Sequence, residues 1–314
     1  MDDGSATESK PPVSTVSTRR FASAFHADPP AVSNVTMEDA TGLVSRLETL
    51  ATRSITPVGS GSMMWRSWGE GPALVLLHGA SGSWTHWIRN ILPLAERFRV
   101  LVPDMPGFGD SDAPPEPHTA DGLADLLVAS LYLILPPPIR FDLAGFSFGA
   151  IMAGLVAARL GHRVSTLVLV GTGGLGFGLG SPRRLARIES AMSPEEIRGV
   201  HRANLLTLML AKPESADDLA VSLQMENLGR SRFKSGTIPQ SDVLRQALPL
   251  IRARIAGIWG GSDAFAGGRL EACRRVLSSA QADLDFRVIE GAGHWVPYEA
   301  AHQINATFFE LLGG

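Results

Sequence analysis

Phe141-Asp-Leu-Ala-Gly145-Phe-Ser147-Phe-Gly149-Ala150 is the stretch of this chain that decides its fold. Its apolar beginning predicts a buried strand over 139–144, and apolar residues at helical spacing predict a helix over 148–160. The Gly-x-Ser-x-Gly pattern between them predicts a sharp turn, because glycine has no Cβ and lets strand and helix approach closely. Such a turn exposes the hydroxyl of Ser147 and points the next backbone N–H, that of Phe148, towards whatever the serine attacks. We therefore predict that Ser147 is a nucleophile.

Short apolar segments alternate with helical patterns along most of the chain. Besides the strand before Ser147, the pattern predicts strands over 63–68, 73–77, 100–104, 164–170, 255–259 and 285–289, and helices over 84–98, 119–135 and 300–312. Strands that are apolar on both faces pair in parallel and are covered by helices on both sides. The predicted fold class is therefore α/β, with a mostly parallel, doubly wound sheet whose catalytic groups lie at the carboxyl ends of the strands.

The alternation stops between Gly173 and Pro249, where helical patterns occur without a convincing strand. We predict that residues 174–249, here called the inserted segment, form a helical cap over the strand ends. The remaining boundaries are a core over 63–173 and 250–314, an N-terminal helix and linker over 36–62, and a disordered tail over 1–35. The tail prediction follows from its Ser, Thr, Pro and Ala content and its lack of periodicity.

Composition excludes several classes of protein. The formal net charge of -3 disfavours nucleic acid and anionic membranes as partners. The single cysteine, Cys273, excludes an internal disulfide framework and a cysteine-rich metal site. No stretch approaches the ~20 apolar residues of a membrane helix, and the N-terminal residues lack the pattern of a secretory signal. A cytoplasmic location is therefore expected.

A serine nucleophile needs an adjacent base, and the base needs an orienting acid. Of eight histidines, His294 stands in a glycine-rich loop directly after the last predicted strand. Asp263 follows the strand over 255–259, whereas the loop after the strand over 164–170 offers no carboxylate. His86 is not expected to be the base, even if it borders the pocket. The predicted catalytic residues are therefore Ser147, Asp263 and His294.

From Trp65 onward, apart from the inserted segment, the chain resembles the α/β-hydrolase fold family, whose catalytic residues follow the same order. Five motifs carry the resemblance: His78-Gly79-Ala80, Asp104-Met-Pro-Gly-Phe-Gly-Asp-Ser111, Gly145-Phe-Ser-Phe-Gly149, Gly260-Gly-Ser-Asp263 and Gly293-His294. The resemblance implies an oxyanion hole made by the backbone N–H groups of Ala80 and Phe148. It also implies catalysis without a metal or an organic cofactor.

Within that family the chain resembles capped, serine-nucleophile members, including meta-cleavage product hydrolases and small-ester esterases. Gly293-His294-Trp295 with Glu299 following is similar to the meta-cleavage branch, whereas Phe146 before the serine differs from it. The resemblance implies hydrolysis of a small ester or related carbonyl compound through an acyl-enzyme. A C–C bond hydrolase of the meta-cleavage type and a non-catalytic ligand-binding protein on the same fold stay as alternatives.

The substrate is expected to be a small molecule, and a homodimer is left open. Four residues near the motifs are predicted to line the substrate pocket: Ser81, Trp84, Phe146 and Trp295. Arginines of the inserted segment offer candidates for holding a substrate carboxylate, although solvated helix faces explain most of them: Arg198, Arg202, Arg230 and Arg232.

A glycine-rich run raises a different class of function. Gly171-Thr-Gly173-Gly-Leu-Gly176 matches the dinucleotide-binding fingerprint and follows a predicted strand. Pro182 and two arginines follow the glycines, and no strand ends in an acidic residue at the expected distance. Nucleotide binding is therefore not expected.

Overall fold

The computed structural model describes residue 1, residues 37–178 and residues 184–313, with side chains from residue 42 onward. The chain divides into two units, Met1–Ser33 and Asn34–Gly314. The predicted disordered tail over 1–35 lies outside the described residues except for Met1. Everything below concerns the second unit.

The described residues form one sheet and the helices around it. The strands are β1 (Thr52–Val58), β2 (Gly61–Trp68), β3 (Ala73–Leu77), β4 (Arg99–Pro103), β5 (Phe141–Phe146), β6 (Val164–Val170), β7 (Arg254–Gly260) and β8 (Asp285–Ile289). The helices are α1 (Met37–Leu50), α2 (Ile91–Ala95), α3 (Ala120–Ile134), α4 (Phe148–Leu160), α5 (Pro194–Leu208), α6 (Asp218–Gly229), α7 (Val243–Ala247), α8 (Leu270–Ala280), α9 (Val296–Glu299) and α10 (Ala301–Leu312).

The sheet has the order β1-β2-β4-β3-β5-β6-β7-β8. β2 pairs antiparallel with β1 and β4, and all other neighbours pair in parallel. β3 therefore has β4 on one side and β5 on the other, which places the order reversal of the sheet at its centre. Ligand sites in such sheets lie outside the carboxyl ends of the strands at this reversal. The predicted α/β class with a mostly parallel sheet is confirmed.

Both faces of the sheet are buried at its central strands, as their apolar sequences predict. In β3, Val75 and Leu77 belong to a core that includes α3 and α4. Leu74 and Leu76, which alternate with them, belong to a second core that includes α2 and α10. This two-faced burial explains why β3 has no polar position along its length.

The structure corrects the predicted linker after the first helix. Residues 52–58 form the edge strand β1, which pairs with β2 through the turn at Gly59, where φ is +59°. Most of β1 is exposed, so its sequence lacks the alternation of a half-buried strand. The feature of its sequence that indicates a strand is the presence of the β-branched residues Thr52, Ile55 and Val58.

The helix predicted over 84–98 is also shorter than expected. A single 3-10 turn covers Trp84–Trp87, and α2 begins only at Ile91. Pro93 explains the break, because proline lacks an N–H and is tolerated only in the first turn of a helix. A continuous helix from Trp84 would place Pro93 in its interior.

The inserted segment lies between β6 and β7 in the chain. Its described residues, 174–178 and 184–249, form α5, α6 and α7 and contain no strand. Capping fixes where the first two helices begin. Ser193 forms a capping box with Glu196 at the start of α5, and the Asp217 side chain accepts the N–H of Ala220 at the start of α6.

A buried arginine ties α1 to the sheet. Arg66 on β2 is 2% exposed and donates hydrogen bonds to Glu48 of α1 at 2.8 Å and to Asp104 after β4 at 3.0 Å. It also pairs with Asp110. Asp104 is fully buried and additionally accepts the backbone N–H of Trp84 at 2.8 Å. Each buried charge is therefore compensated by its neighbours.

We predict that Arg66→Met lowers the free energy of unfolding by about 3–5 kcal/mol, because it leaves the buried Asp104 carboxylate without its cation. Arg53→Met is the matched control, since Arg53 pairs with the same Glu48 but is 55% exposed. That control should cost less than about 1 kcal/mol. Urea denaturation followed by tryptophan fluorescence measures both. Equal losses in the two variants would contradict the prediction.

Candidate active site

Ser147 occupies a strained turn between β5 and α4. Its backbone has φ +55° and ψ −114°, a region that residues other than glycine rarely adopt. Its N–H donates to the carbonyl oxygen of Val170 at 2.8 Å, which ties the turn to β6. A Cβ at Gly145 would lie 2.2 Å from the carbonyl oxygen of Gly149, and one at Gly149 would lie 2.3 Å from that of His78. Only glycine fits at both positions.

The three residues predicted as catalytic are brought together by the ends of β5, β7 and β8. His294 Nε2 lies 2.9 Å from Ser147 Oγ, and His294 Nδ1 lies 2.8 Å from Asp263 Oδ2. The second oxygen of Asp263 accepts the backbone N–H groups of Phe265 at 2.8 Å and Ala266 at 3.1 Å. Hydrogen bonds thus run without a break from the serine hydroxyl to the carboxylate.

Asp263 is buried yet carries a negative charge at neutral pH. Burial raises the pKa of its carboxyl group, but the charge and hydrogen bond of His294 and the two backbone N–H groups more than offset this, so the pKa lies below its usual value. With Asp263 ionised, His294 Nδ1 is the donor and Nε2 is free to accept from Ser147. This is the tautomer that a general base requires.

Gly171 at the end of β6 gives the imidazole its space. Its φ is +56°, and a Cβ there would lie 3.2 Å from His294 Cε1 and 3.4 Å from Asp263 Oδ2. A side chain at this position would be strained and would press on both groups. The first glycine of the apparent dinucleotide fingerprint is therefore explained by the site. The described residues 171–178 and 184–193 form no helix to follow that motif, as nucleotide binding would need.

Two histidines support the loop that contains Ala80. His78 Nε2 accepts the N–H of Met105 at 2.9 Å, so its Nδ1 is the donor to the carbonyl oxygen of Gly79 at 2.8 Å. His86 Nδ1 accepts the N–H of Gly79 at 3.1 Å. The carbonyl oxygen and the N–H of Gly79 are thus each hydrogen-bonded to a neutral imidazole. Ala80, one residue on, borders the same cavity as Phe148.

A cavity of about 240 Å³ opens at Ser147. The sheet side contributes Phe146, Phe148 and Trp259, the inserted segment contributes Met209 and Ser235, and α8 contributes Cys273. Most of this lining is apolar. The first residue of α4, Phe148, has a backbone N–H that no helical carbonyl can reach. A carbonyl oxygen in the cavity next to Ser147 would therefore find a donor at this end of the helix.

The predicted pocket residues separate into two groups. Phe146 lines the cavity, and His86 does so as well. Ser81 lies next to the inserted segment, with its Oγ 3.5 Å from that of Ser231, but does not line the cavity. Trp84 and Trp295 are corrected: both are buried in the core and neither lines the cavity.

Packing explains the positions of the two tryptophans. Trp84 packs against Trp68 with ring centroids 5.6 Å apart. Trp295 stacks on Tyr298 at 4.4 Å, and its Nε1 donates to the carbonyl oxygen of His86 at 2.9 Å. Both indoles therefore support the loops of the site from behind instead of facing a ligand.

The four arginines of the inserted segment that were considered as carboxylate partners, Arg198, Arg202, Arg230 and Arg232, do not border the cavity either. Arg198 and Arg202 pair with Asp218 at 3.1 and 2.7 Å. Arg230 pairs with Asp110 at 2.5 Å, and Arg232 donates to the carbonyl oxygen of Gly109 at 2.9 Å. These contacts tie the inserted segment together and to the loop after β4.

Arg269 is a cavity residue that sequence reasoning missed. Among the described lining residues it is the only arginine or lysine. Its guanidinium donates to the carbonyl oxygens of Phe177 at 2.6 Å, Phe265 at 3.0 Å and Ala266 at 3.0 Å. It therefore links the loop that contains Asp263 to the loop after β6. No pattern in the sequence distinguishes it from the exposed arginines nearby.

Among the described residues, no group of three or more His, Cys, Asp or Glu side chains is arranged to hold a metal ion. No helix in the described part of the chain is long and apolar enough to cross a lipid bilayer.

Residues 74–307 match the model of the Alpha/beta hydrolase family. Since this match covers most of the chain, the protein belongs to the α/β-hydrolase family. The fold family and the enzyme class predicted from the sequence are confirmed by this match.

Three of the proteins that this chain is similar to are hydrolases of different kinds. The 2-hydroxy-6-oxo-6-phenylhexa-2,4-dienoate hydrolase of Burkholderia cepacia is 27% identical over 261 residues, which cover 78% of this chain and 88% of the relative. The enol-lactonase of Burkholderia xenovorans LB400 superposes with a TM-score of 0.67 at 22% identity, covering 83% of this chain and 100% of its own. An esterase from Rhodococcus sp. ECU1013 has a TM-score of 0.70 at 21% identity, with 84% and 99% covered. At these identities the solved structures show a shared fold.

The two buried histidines predict a stability that falls as the pH is lowered. Burial lowers the pKa of His78, and burial together with the nearby His78 and His294 lowers that of His86 well below 6.5. The unfolded chain takes up these protons near pH ~6.5 and the folded chain does not. The free energy of unfolding should therefore fall below that pH by up to about 1.4 kcal/mol per pH unit for each histidine.

His86→Asn tests this prediction, because asparagine keeps an acceptor for the Gly79 N–H and removes the titrating group. We expect a shallower pH dependence between pH 6.5 and 5, measured by urea unfolding at each pH. His162→Asn, at an exposed position, is the control and should keep the wild-type dependence. An unchanged slope in His86→Asn would contradict the prediction.

Proposed function

We propose that this protein is a serine hydrolase that cleaves a small, uncharged ester or related carbonyl compound through an acyl-enzyme. The observation that carries the proposal is the unbroken hydrogen-bond path from Ser147 through His294 to Asp263, with its serine end at the cavity. A buried, ionised carboxylate oriented on an imidazole is the arrangement that activates a serine hydroxyl.

The mechanism follows from the protonation states. His294 Nε2 takes the Ser147 proton while Oγ attacks the carbonyl carbon, and the N–H groups of Phe148 and Ala80 stabilise the oxyanion. Each such donor is worth roughly 10²–10³ in rate. The C–O bond then breaks, and His294 returns its proton to the departing alkoxide. Water, deprotonated by His294, attacks the acyl-enzyme and releases the acid. Asp263 stays ionised and stabilises the imidazolium.

An uncharged substrate fits the cavity better than an acidic one. The cavity wall is largely apolar, and its arginine, Arg269, already donates to the carbonyl oxygens of Phe177, Phe265 and Ala266. At least three of its five N–H donors are therefore already used within the protein, which leaves fewer for a substrate carboxylate. A volume of about 240 Å³ also favours a small acyl group.

A C–C bond hydrolase is the second candidate, because one relative is a 2-hydroxy-6-oxo-6-phenylhexa-2,4-dienoate hydrolase. The same serine, base and acid could serve that reaction. A non-catalytic binding protein is disfavoured, since ligand binding alone gives no reason for a strained Ser147 within hydrogen-bond distance of an imidazole. Assay of both ester and ketonic dienoate substrates separates these alternatives.

We predict that Ser147→Ala reduces turnover of p-nitrophenyl acetate and butyrate at least about 10⁴-fold, because the nucleophile is lost. Wild-type enzyme should release a burst of p-nitrophenol equivalent to the acyl-enzyme formed, and the variant none. Ser165→Ala, a half-buried serine of β6 outside the cavity, is the control and should keep the burst. A burst in folded Ser147→Ala would refute the assignment of the nucleophile.

We predict that Cys273 limits the size of the substrate. It is buried in the cavity wall beside the core, and burial raises the pKa of its thiol to about 11, so it is an uncharged packing residue. Cys273→Phe should reduce kcat/KM for p-nitrophenyl butyrate at least about tenfold more than for acetate, since one methylene is worth 10–200-fold in a tight pocket. Cys273→Ser, of similar size, should preserve the ratio. Equal effects on both esters would contradict the prediction, because they would show that the acyl chain does not lie against Cys273.

A further inference from the structure

The carboxylate of Glu299 lies between two segments that are far apart in the chain. One of its oxygens accepts the backbone N–H groups of Ala211 at 2.9 Å and Lys212 at 2.8 Å. The other accepts the N–H of Gly293 at 2.5 Å. Ala211 and Lys212 follow the end of α5 in the inserted segment, and Gly293 directly precedes His294. A single side chain therefore bonds both segments.

The backbone makes the same connection on the other side of His294. The N–H of Trp295 donates to the carbonyl oxygen of Met209 at 2.7 Å. The residues that flank His294 are thus bonded to Glu299 and to Met209, and Met209 lines the cavity. A Cβ at Gly293 would lie 2.8 Å from both the Met209 oxygen and the Ala211 nitrogen, so the two backbones are in direct contact.

A second link lies one residue before Glu299. The hydroxyl of Tyr298 donates to Asp217, the residue that caps α6, and Arg89 pairs with the same carboxylate at 2.6 Å. Hydrogen bonds to charged groups are stronger than those between neutral groups, and a buried N–H left without an acceptor is destabilising. Separation of the two segments would therefore break several strong interactions at once.

We propose that Glu299 is a positioning residue that holds the cavity wall at Met209 and the loop of His294 as one unit. The inserted segment would then set the position of the imidazole relative to Ser147, and not only cover the substrate. The consequence for catalysis rests on the proposed function, in which His294 is the base. The link between the two segments does not depend on it.

Glu299→Gln is the variant of choice, because one oxygen becomes an NH₂ group that cannot accept a hydrogen bond. Either Gly293 or Lys212 then loses its acceptor, whereas the N–H of Ala211, which lies 2.9 and 3.1 Å from the two oxygens, keeps one. The rate of the p-nitrophenol burst from p-nitrophenyl butyrate should fall about 10- to 100-fold, as expected for a displaced catalytic group. The burst amplitude per folded chain should stay unchanged, because Ser147 is intact. Glu299→Asp, which keeps two oxygens on a shorter side chain, should recover part of the rate.

Glu290→Gln is the matched control. Glu290 is exposed on the same loop, and the substitution removes the same charge. It should leave the burst rate at the wild-type value. A wild-type burst rate in Glu299→Gln would overturn the proposal. This holds even if the amplitude per total protein is lower, because a lower amplitude at unchanged rate indicates only loss of folded protein.

Hydrogen–deuterium exchange tests the link without any substrate. In Glu299→Gln, peptides covering 209–212 and 291–295 should both exchange faster than in wild type and in Glu290→Gln. Faster exchange in only one of the two, or in neither, would overturn the coupling. If wild-type enzyme shows no burst with any ester, the proposed function fails, and this exchange measurement still decides whether Glu299 joins the segments.

Discussion

The position of Ser147 depends on a backbone contact that excludes every side chain. Helix α4 begins so close to the ends of β3 and β5 that a Cβ at Gly145 or Gly149 would lie within 2.3 Å of a carbonyl oxygen. This contact allows the sheet to hold Ser147 at φ +55°, a conformation that costs about 1–3 kcal/mol and persists only where the surroundings enforce it. The strain exposes Oγ and leaves the first N–H of α4 next to it.

Asp263 and His294 differ in how far their positions depend on the inserted segment. Asp263 is fixed within the core by the backbone of its own loop, and Gly171 gives the imidazole room from the neighbouring strand. The loop of His294 is different, because the residues on both sides of it find acceptors in Glu299 and Met209. Ser147 and Asp263 thus belong to the sheet, whereas His294 lies where the sheet and the inserted segment meet.

Sequence reasoning succeeds where one interaction dominates and fails where several compete. The bounds of β3 and β6 follow from the sequence because burial determines their composition. The exposed edge strand β1 lacks that constraint and was predicted as a linker. Trp84 and Trp295 are predicted in the pocket because they lie close to catalytic motifs in the sequence. That proximity does not determine which way an indole points, and packing turns both into the core. Arg269 and Cys273 reach the cavity through the packing of α8, which no local pattern encodes.

The charged side chains around the cavity already make hydrogen bonds within the protein, and this limits the charge that a substrate can carry. Asp263 is paired with His294, and Arg269 donates to carbonyl oxygens. His86, whose pKa burial lowers well below 6.5, is neutral there. A charged group that enters such a site without a partner loses several kcal/mol of hydration. An uncharged carbonyl loses far less, and under the proposed function it would gain the N–H of Phe148 at the point where negative charge develops. The same burial that keeps His86 neutral therefore favours a neutral substrate.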